Sequence, residues 1–168
     1  MLILGIGRNE DGDESGWGSR IFMAPADDLS DWKWTSEKSD PNIYESPKMF
    51  RHGNDIYLIA RTDPDGTFYT ERELDNTSLH HLIDLGAYST RQHGTALYKL
   101  INGQLEKVFD LPGCGDNAFP SIVRLGPHKY LVANYTSPTS RCQGWSWIRG
   151  QVSPRGTGVY FTVIYFEQ

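Results

Sequence analysis

The sequence predicts an all-β protein built from a repeated, propeller-type sheet unit, and three observations carry that prediction. First, the chain writes one segment twice. Residues 47–60 read PKMFRHGNDIYLIA and residues 120–133 read PSIVRLGPHKYLVA, in register at a shift of 73 residues with no gap. Pro47/Pro120, Arg51/Arg124, Gly53/Gly126, Tyr57/Tyr130, Leu58/Leu131 and Ala60/Ala133 are identical. Second, each copy is an apolar run, a Gly-containing turn and another apolar run, which is the pattern of a β-hairpin. A lone hairpin cannot bury its faces, so a repeated one implies stacked copies of a unit. Third, 17 Gly, 9 Pro, 5 Trp, 9 Tyr and 7 Phe in 168 residues suit many short strands with aromatic filling.

The elements follow in order. Leu2 to Gly7 is a short apolar strand, residues 9–15 an acidic loop and Arg20 to Ala24 a second strand. Residues 31–36 (DWKWTS) alternate, which puts Trp32 and Trp34 on one face. The first repeated hairpin spans about 46–61, followed by the DPDG turn at 63–66 and a short strand at 67–70. Residues 71–90 break the rhythm. Helix-like spacing at 79–83, with Asn76 or Thr77 as a cap, marks an inserted loop with a short helix. Strands at 96–100 and 105–110 are joined by Asn102-Gly103, the strongest short hairpin signal in the chain. The second repeated hairpin spans about 119–135. Trp145 and Trp147 in residues 144–151 sit at strand spacing, and the β-branched, aromatic run VYFTVIYF at 159–166 reads as a buried strand.

Ten to twelve strands and at most one short helix result. The hairpin extends to about four strands per unit, so 168 residues make about three blades in a single domain over 1–168. Closed propellers have about 4–8 blades. A partial propeller would expose sheet faces, so either a longer chain or a second copy completes the ring.

Bulk numbers exclude several functions. With 38% hydrophobic and 22% charged residues, the chain is ordinary for a soluble globular domain. A net charge of −5 without any basic block argues against general nucleic-acid binding. No apolar stretch approaches the ~20 residues of a membrane span, and the short apolar N-terminal run lacks a basic start, so the expectation is a cytoplasmic protein that contacts no membrane. Cys114 and Cys142, outside any CxxC spacing, are read as buried free thiols, with mutual pairing as the alternative. The five histidines show no ligand spacing, so no metal or other cofactor is expected. The sequons at Asn76 and Asn134 are read as accidental.

Residues 43–61, 93–113 and 115–135 together resemble the sialidase-like (BNR-repeat, neuraminidase) six-bladed propellers, over about residues 17–136. In that family a glutamate opens such a hairpin and an arginine closes it, positions held here by Glu45 and Arg61. The resemblance implies that the glutamate activates a tyrosine nucleophile and that the arginine helps bind a substrate carboxylate. Two departures stand out: no Asp box (S-x-D-x-G-x-T-W) is present, and Phe119-Pro120 occupies the segment where the nucleophilic tyrosine would fall. A shorter stretch, Glu45-Ser46-Pro47, is similar to the E-x-P segment carrying the general acid in five-bladed furanosidase-type glycoside hydrolases.

Glycoside hydrolysis needs two carboxyl groups flanking the scissile bond. Glu45 and Asp116 are the candidates, because each lies shortly before the equivalent proline of the repeat. Arg61, Arg20, Arg91, His93 and Trp17 are candidate substrate-binding residues. Arg51 and Arg124 sit at the hairpin turns and are read as structural. The expected partner is a glycan or another small ligand, and the rival reading is a non-catalytic carbohydrate- or protein-binding module.

Overall fold

The computed structural model describes residues 2–8, 19–25, 27–28, 30, 33–34, 44–62, 86, 89–142, 145–154 and 156–167. Ten strands fall within them: β1 (Leu2–Arg8), β2 (Ser19–Pro25), β3 (Lys33–Trp34), β4 (Glu45–His52), β5 (Asp55–Thr62), β6 (Gly94–Ile101), β7 (Gln104–Leu111), β8 (Ala118–Gly126), β9 (Lys129–Thr136) and β10 (Gly158–Tyr165). They form three antiparallel sheets, ordered β1-β2-β3, β4-β5-β6-β7 and β10-β9-β8. The fold is all-β. One sheet has four strands and two have three among the described residues, where four per unit was expected. The helix expected at 79–83, the strand at 67–70 and Trp32 lie outside the described residues.

The repeat is real in three dimensions. Both copies are hairpins, β4–β5 and β8–β9, and β4 packs against β8. Each copy opens on a bulge, between Glu45 and Lys48 and between Ala118 and Ser121. The residue in each bulge adopts the left-handed conformation, Ser46 at φ 50° and Phe119 at φ 51°. For a bulky side chain that conformation is an outlier, so the surrounding structure must impose it. Both turns carry the same arginine clip. Arg51 Nε donates to the Gly53 carbonyl at 2.8 Å, and Arg124 Nε to the Gly126 carbonyl at 3.0 Å. Asn102 and Gly103 both have positive φ (51° and 83°), as a tight two-residue hairpin turn requires.

Burial separates the two hairpins. In β5, Tyr57 to Ala60 are all buried, and in β6, Thr95 to Tyr98 are too, so the four-stranded sheet is covered on both faces. One face meets the β8–β10 sheet through Tyr57, Ile59, Leu97, Val132 and Ile164, with Phe50, Ile122 and Phe166 at the margin. The other face holds Tyr44, Leu58, Ala60, Ala96 and Tyr98. Strand β9 instead alternates, burying Tyr130, Val132, Asn134 and Thr136 and leaving its other face half open. Strand β10 is therefore not the buried strand that its composition suggests. Only Ile164 is buried, while Val159, Phe161, Val163 and Tyr165 face outward. β-Branched and aromatic composition reports strand formation, not the number of covered faces.

Two further expectations are corrected. Trp147–Val152 is a helix, capped by the Ser146 side chain accepting from the Arg149 N–H, so the tryptophan pair is not on a strand. The period-two spacing of Trp145 and Trp147 was too short a pattern to outweigh a Ser cap. Trp145 is buried under the Arg149 guanidinium, a packing role. Cys114 and Cys142 are not free thiols but form a disulfide with Cα atoms 5.4 Å apart. Such bonds persist in oxidising compartments, so the cysteines give no support to a cytoplasmic location. No helix among the described residues is long and apolar enough to cross a membrane. Asn134 is buried, which closes its sequon to glycosylation in this fold.

Candidate functional site

Glu45 opens β4, and Asp116 and Asn117 immediately precede β8, so the candidate residues gather where the first strand of each repeat hairpin begins. Cross-strand pairing sets Glu45 directly opposite Arg61. Arg61 Nη1 meets Glu45 Oε2 at 2.5 Å, with the side chains 11% (arginine) and 25% (glutamate) exposed. The guanidinium does not stop there. Its Nε donates to the Asn117 carbonyl at 2.7 Å, and it also donates to the Tyr135 hydroxyl. One arginine thus ties the end of the first hairpin to the entry of the second.

Asp116 is 3% exposed, and both of its carboxylate oxygens are engaged. The Tyr135 hydroxyl donates to Oδ1 at 3.2 Å, and Gln151 Nε2 to Oδ2 at 2.6 Å. Burial pushes the Asp116 carboxyl above the usual aspartate range. The hydrogen bond from Tyr135, the charges of Arg61 and His93 and the Gln151 bond oppose that rise without overcoming it. Burial, followed by the neighbouring Asp116 charge, likewise pushes the Tyr135 phenol upward. Tyr135 is therefore a hydrogen-bond donor at neutral pH, not a phenolate.

The loop that carries Asp116 is fixed by backbone and hydroxyl bonds. The Ser137 N–H bonds the carbonyls of Cys114 and Asp116 at 3.2 and 2.9 Å, and Ser137 Oγ accepts from the Asp116 N–H at 3.1 Å. Thr136 Oγ1 accepts from the Cys114 N–H at 2.8 Å. Asn117, fully buried, accepts from Thr95 Oγ1 at 2.9 Å and donates to the His93 carbonyl at 2.7 Å. The Cys114–Cys142 bond closes this loop onto the segment after β9. Buried polar groups satisfied this fully rigidify what they hold.

Of the candidates read from sequence, Glu45, Arg61, Asp116 and His93 come together here. His93 is 2% exposed and lends its carbonyl to Asn117, so it supports the cluster from behind. Arg91 is half buried, and its carbonyl accepts from the Trp147 N–H at 3.2 Å, which ties it to the helix. Arg20 lies in β2, in a different sheet, and Trp17 lies outside the described residues. Tyr135, Asn117, Gln151 and Thr95 were missed. Tyr135 lay just past the end of the matched repeat, and Gln151 belongs to the helix that spacing presented as a strand. Among the described residues no group of three His, Cys, Asp or Glu side chains converges to hold a metal ion.

No known family model matches the chain, and no curated protein matches it. Solved structures similar to it include the full-length β-fructofuranosidase of Microbacterium saccharophilum K-1, at 12% identity and a TM-score of 0.40, covering 95% of this chain and 36% of that one. The catalytic domain of the same enzyme is similar at the same identity and TM-score, with 39% of its length covered. The chain thus spans little more than a third of these proteins.

Proposed function

We propose that this chain is a propeller-type glycan-handling domain, related to glycoside hydrolases of the sialidase-like kind, with its three sheets as consecutive blades of one domain. The observation that carries the reading is the Glu45–Arg61 pair. It lies at the opening of one repeat hairpin and is wired through Asn117 and Tyr135 to the opening of the next. Repeat hairpins that open side by side bring side chains from different units to one place, as a central pocket requires.

In this reading Glu45 is the acid or base, because it is the carboxylate that solvent and a ligand can reach. Arg61 holds it and presents guanidinium donors to an anionic or hydroxyl-rich ligand. Asp116 acts through Tyr135: with both oxygens engaged and almost no exposure, it positions the phenol. Tyr135, its single proton committed to Asp116, then offers the ligand an acceptor lone pair. The test is a Glu45→Gln variant against wild type on a panel of aryl glycosides. A catalytic Glu45 lowers turnover by roughly 10²–10⁴-fold. Equal rates, or turnover in neither protein, remove the catalytic claim.

One observation favours the second reading, a carbohydrate-binding module without catalysis. Phe119 stands, 70% exposed, where the resemblance calls for a nucleophilic tyrosine. In that case glycan-array binding persists in Glu45→Gln and is lost in Arg61→Ala. Binding unaffected by Arg61→Ala would place the glycan away from the Glu45–Arg61 pair.

A further inference from the structure

The outer face of the β8–β10 sheet is apolar from edge to edge. Cross-strand pairing sets Val123, Leu131 and Val163 in one row, Ser121, Ala133 and Phe161 in the next, and Tyr135 beside Val159 at the site end. Phe119 and Leu125 flank these rows on β8, and Tyr165 pairs with Lys129 at the far end. Phe119, Val123, Leu125, Val159, Phe161, Val163 and Tyr165 are each between 41% and 70% exposed. Lys129 brings the one charge among these outward positions, and its ammonium lies over the Tyr165 ring at 5.3 Å.

The repeat itself says that such a face is built to be covered. Leu131 and Ala133 correspond, at the shift of 73, to Leu58 and Ala60. Those two identical residues are 0% exposed in the first copy, in a cluster with Tyr44, Ala96 and Tyr98. The same side chains on the same face of the second copy are only half buried. Seven side chains of these sizes, exposed to this degree, present on the order of 800 Å² of surface. A stable interface takes about 800 Å² from each partner, and isolated monomers rarely leave so large an apolar patch in water.

We infer that this face is a self-association surface, on which a second copy of the chain stacks its own β8–β10 sheet about a two-fold axis. A two-fold contact is satisfied by a single self-complementary patch, and an apolar sheet face is such a patch, because sheets pack face to face at about 10 Å through interdigitating side chains. Depletion of charge at the centre, with the lone lysine at the rim, is the composition of an interface core. The inference stands on burial and pairing alone and does not depend on the glycan reading.

Sedimentation equilibrium of the whole oxidised chain between about 1 and 100 μM tests it. Wild type gives twice the monomer mass. Phe161→Glu, at the centre of the face, weakens association by at least about a hundredfold and leaves the circular dichroism spectrum unchanged, since its side chain is already in solvent. Val108→Glu, at a side chain 50% exposed on β7 of the other sheet, stays dimeric. A wild-type monomer at the top concentration overturns the inference and leaves the face to a different partner. A dimer that survives Phe161→Glu overturns it as well, as does association without a defined stoichiometry.

Discussion

Replacing Gly150 by alanine sets two effects against each other, and the structure says which wins. Gly150 lies within the Trp147–Val152 helix, where alanine is favoured over glycine by about 1 kcal/mol. The added Cβ would stand 2.5 Å from Ser137 Oγ, 2.6 Å from Asp116 Cβ and 2.7 Å from the Asp116 backbone nitrogen. None of these atoms is the free end of a long side chain. Ser137 Oγ is held by the Asp116 N–H, and the Asp116 backbone is held by the Ser137 N–H. Room can be made only by displacing the loop. Overpacking of this kind costs about 1–3 kcal/mol, and a buried N–H left without its acceptor costs a further ~1–3 kcal/mol. After the helix gain is subtracted, a net loss of about 1–5 kcal/mol remains, or roughly 2–20 °C in melting temperature for a chain of this size. Thermal unfolding followed by circular dichroism, under oxidising conditions, reads it directly. A melting temperature equal to or above wild type would mean that helix propensity decides the outcome. The close approach of helix and Asp116 loop, on which the rigidity of the site rests, would then be refuted.

Two more predictions concern the same loop. Replacing Cys114 and Cys142 together by serine removes a cross-link across 28 residues, which costs about 3–4 kcal/mol through the entropy of the unfolded chain; urea unfolding with an unchanged midpoint would count against the bond. For Asp116, the carboxyl is raised by burial above its ordinary 3.8, so just above that pH the native state keeps a proton that the unfolded chain has released. Stability therefore falls as pH rises from about 3.8 through the raised value, and the loss persists at neutral pH. Asp116→Asn removes this slope, so the variant gains on wild type as pH rises from about 3.5 to 7 in urea titrations. A difference between the two that stays constant with pH would show that the carboxyl is not desolvated.

Much of the fold was legible because the repeat is encoded by residues with one job each. Arg51 and Arg124 clip turns, Gly53 supplies a positive φ at the first of them, and Tyr57 and Tyr130 fill the same place in the hairpin. Asn102-Gly103 allowed one reading only, because two adjacent positive φ values exclude most other pairs. What sequence could not convey is the number of covered faces. Leu58 and Leu131 are the same residue in the same repeat position, yet one is fully buried and the other half open. Burial is a property of the neighbouring layer, and the residues that supply that layer lie elsewhere in the chain or outside it.

The site divides along the same line. Glu45 and Arg61 could be paired in advance because a hairpin fixes which of its residues stand opposite each other. Asp116 could be named from its place before a repeat proline, but its role could not, since that depends on Tyr135 and Gln151, 19 and 35 residues further on. Those contacts decide the chemistry. A carboxylate with both oxygens donated to and almost no exposure cannot approach a substrate oxygen without breaking a charge-assisted bond. Glu45, paired with Arg61, keeps a quarter of its side chain open to solvent. Two acids that each lie shortly before a repeat proline are thus unequal in space, and the proposed function rests on that asymmetry for its division of roles. Gln151→Ala should accordingly disturb the site only by way of Asp116, whereas Glu45→Gln strikes it directly.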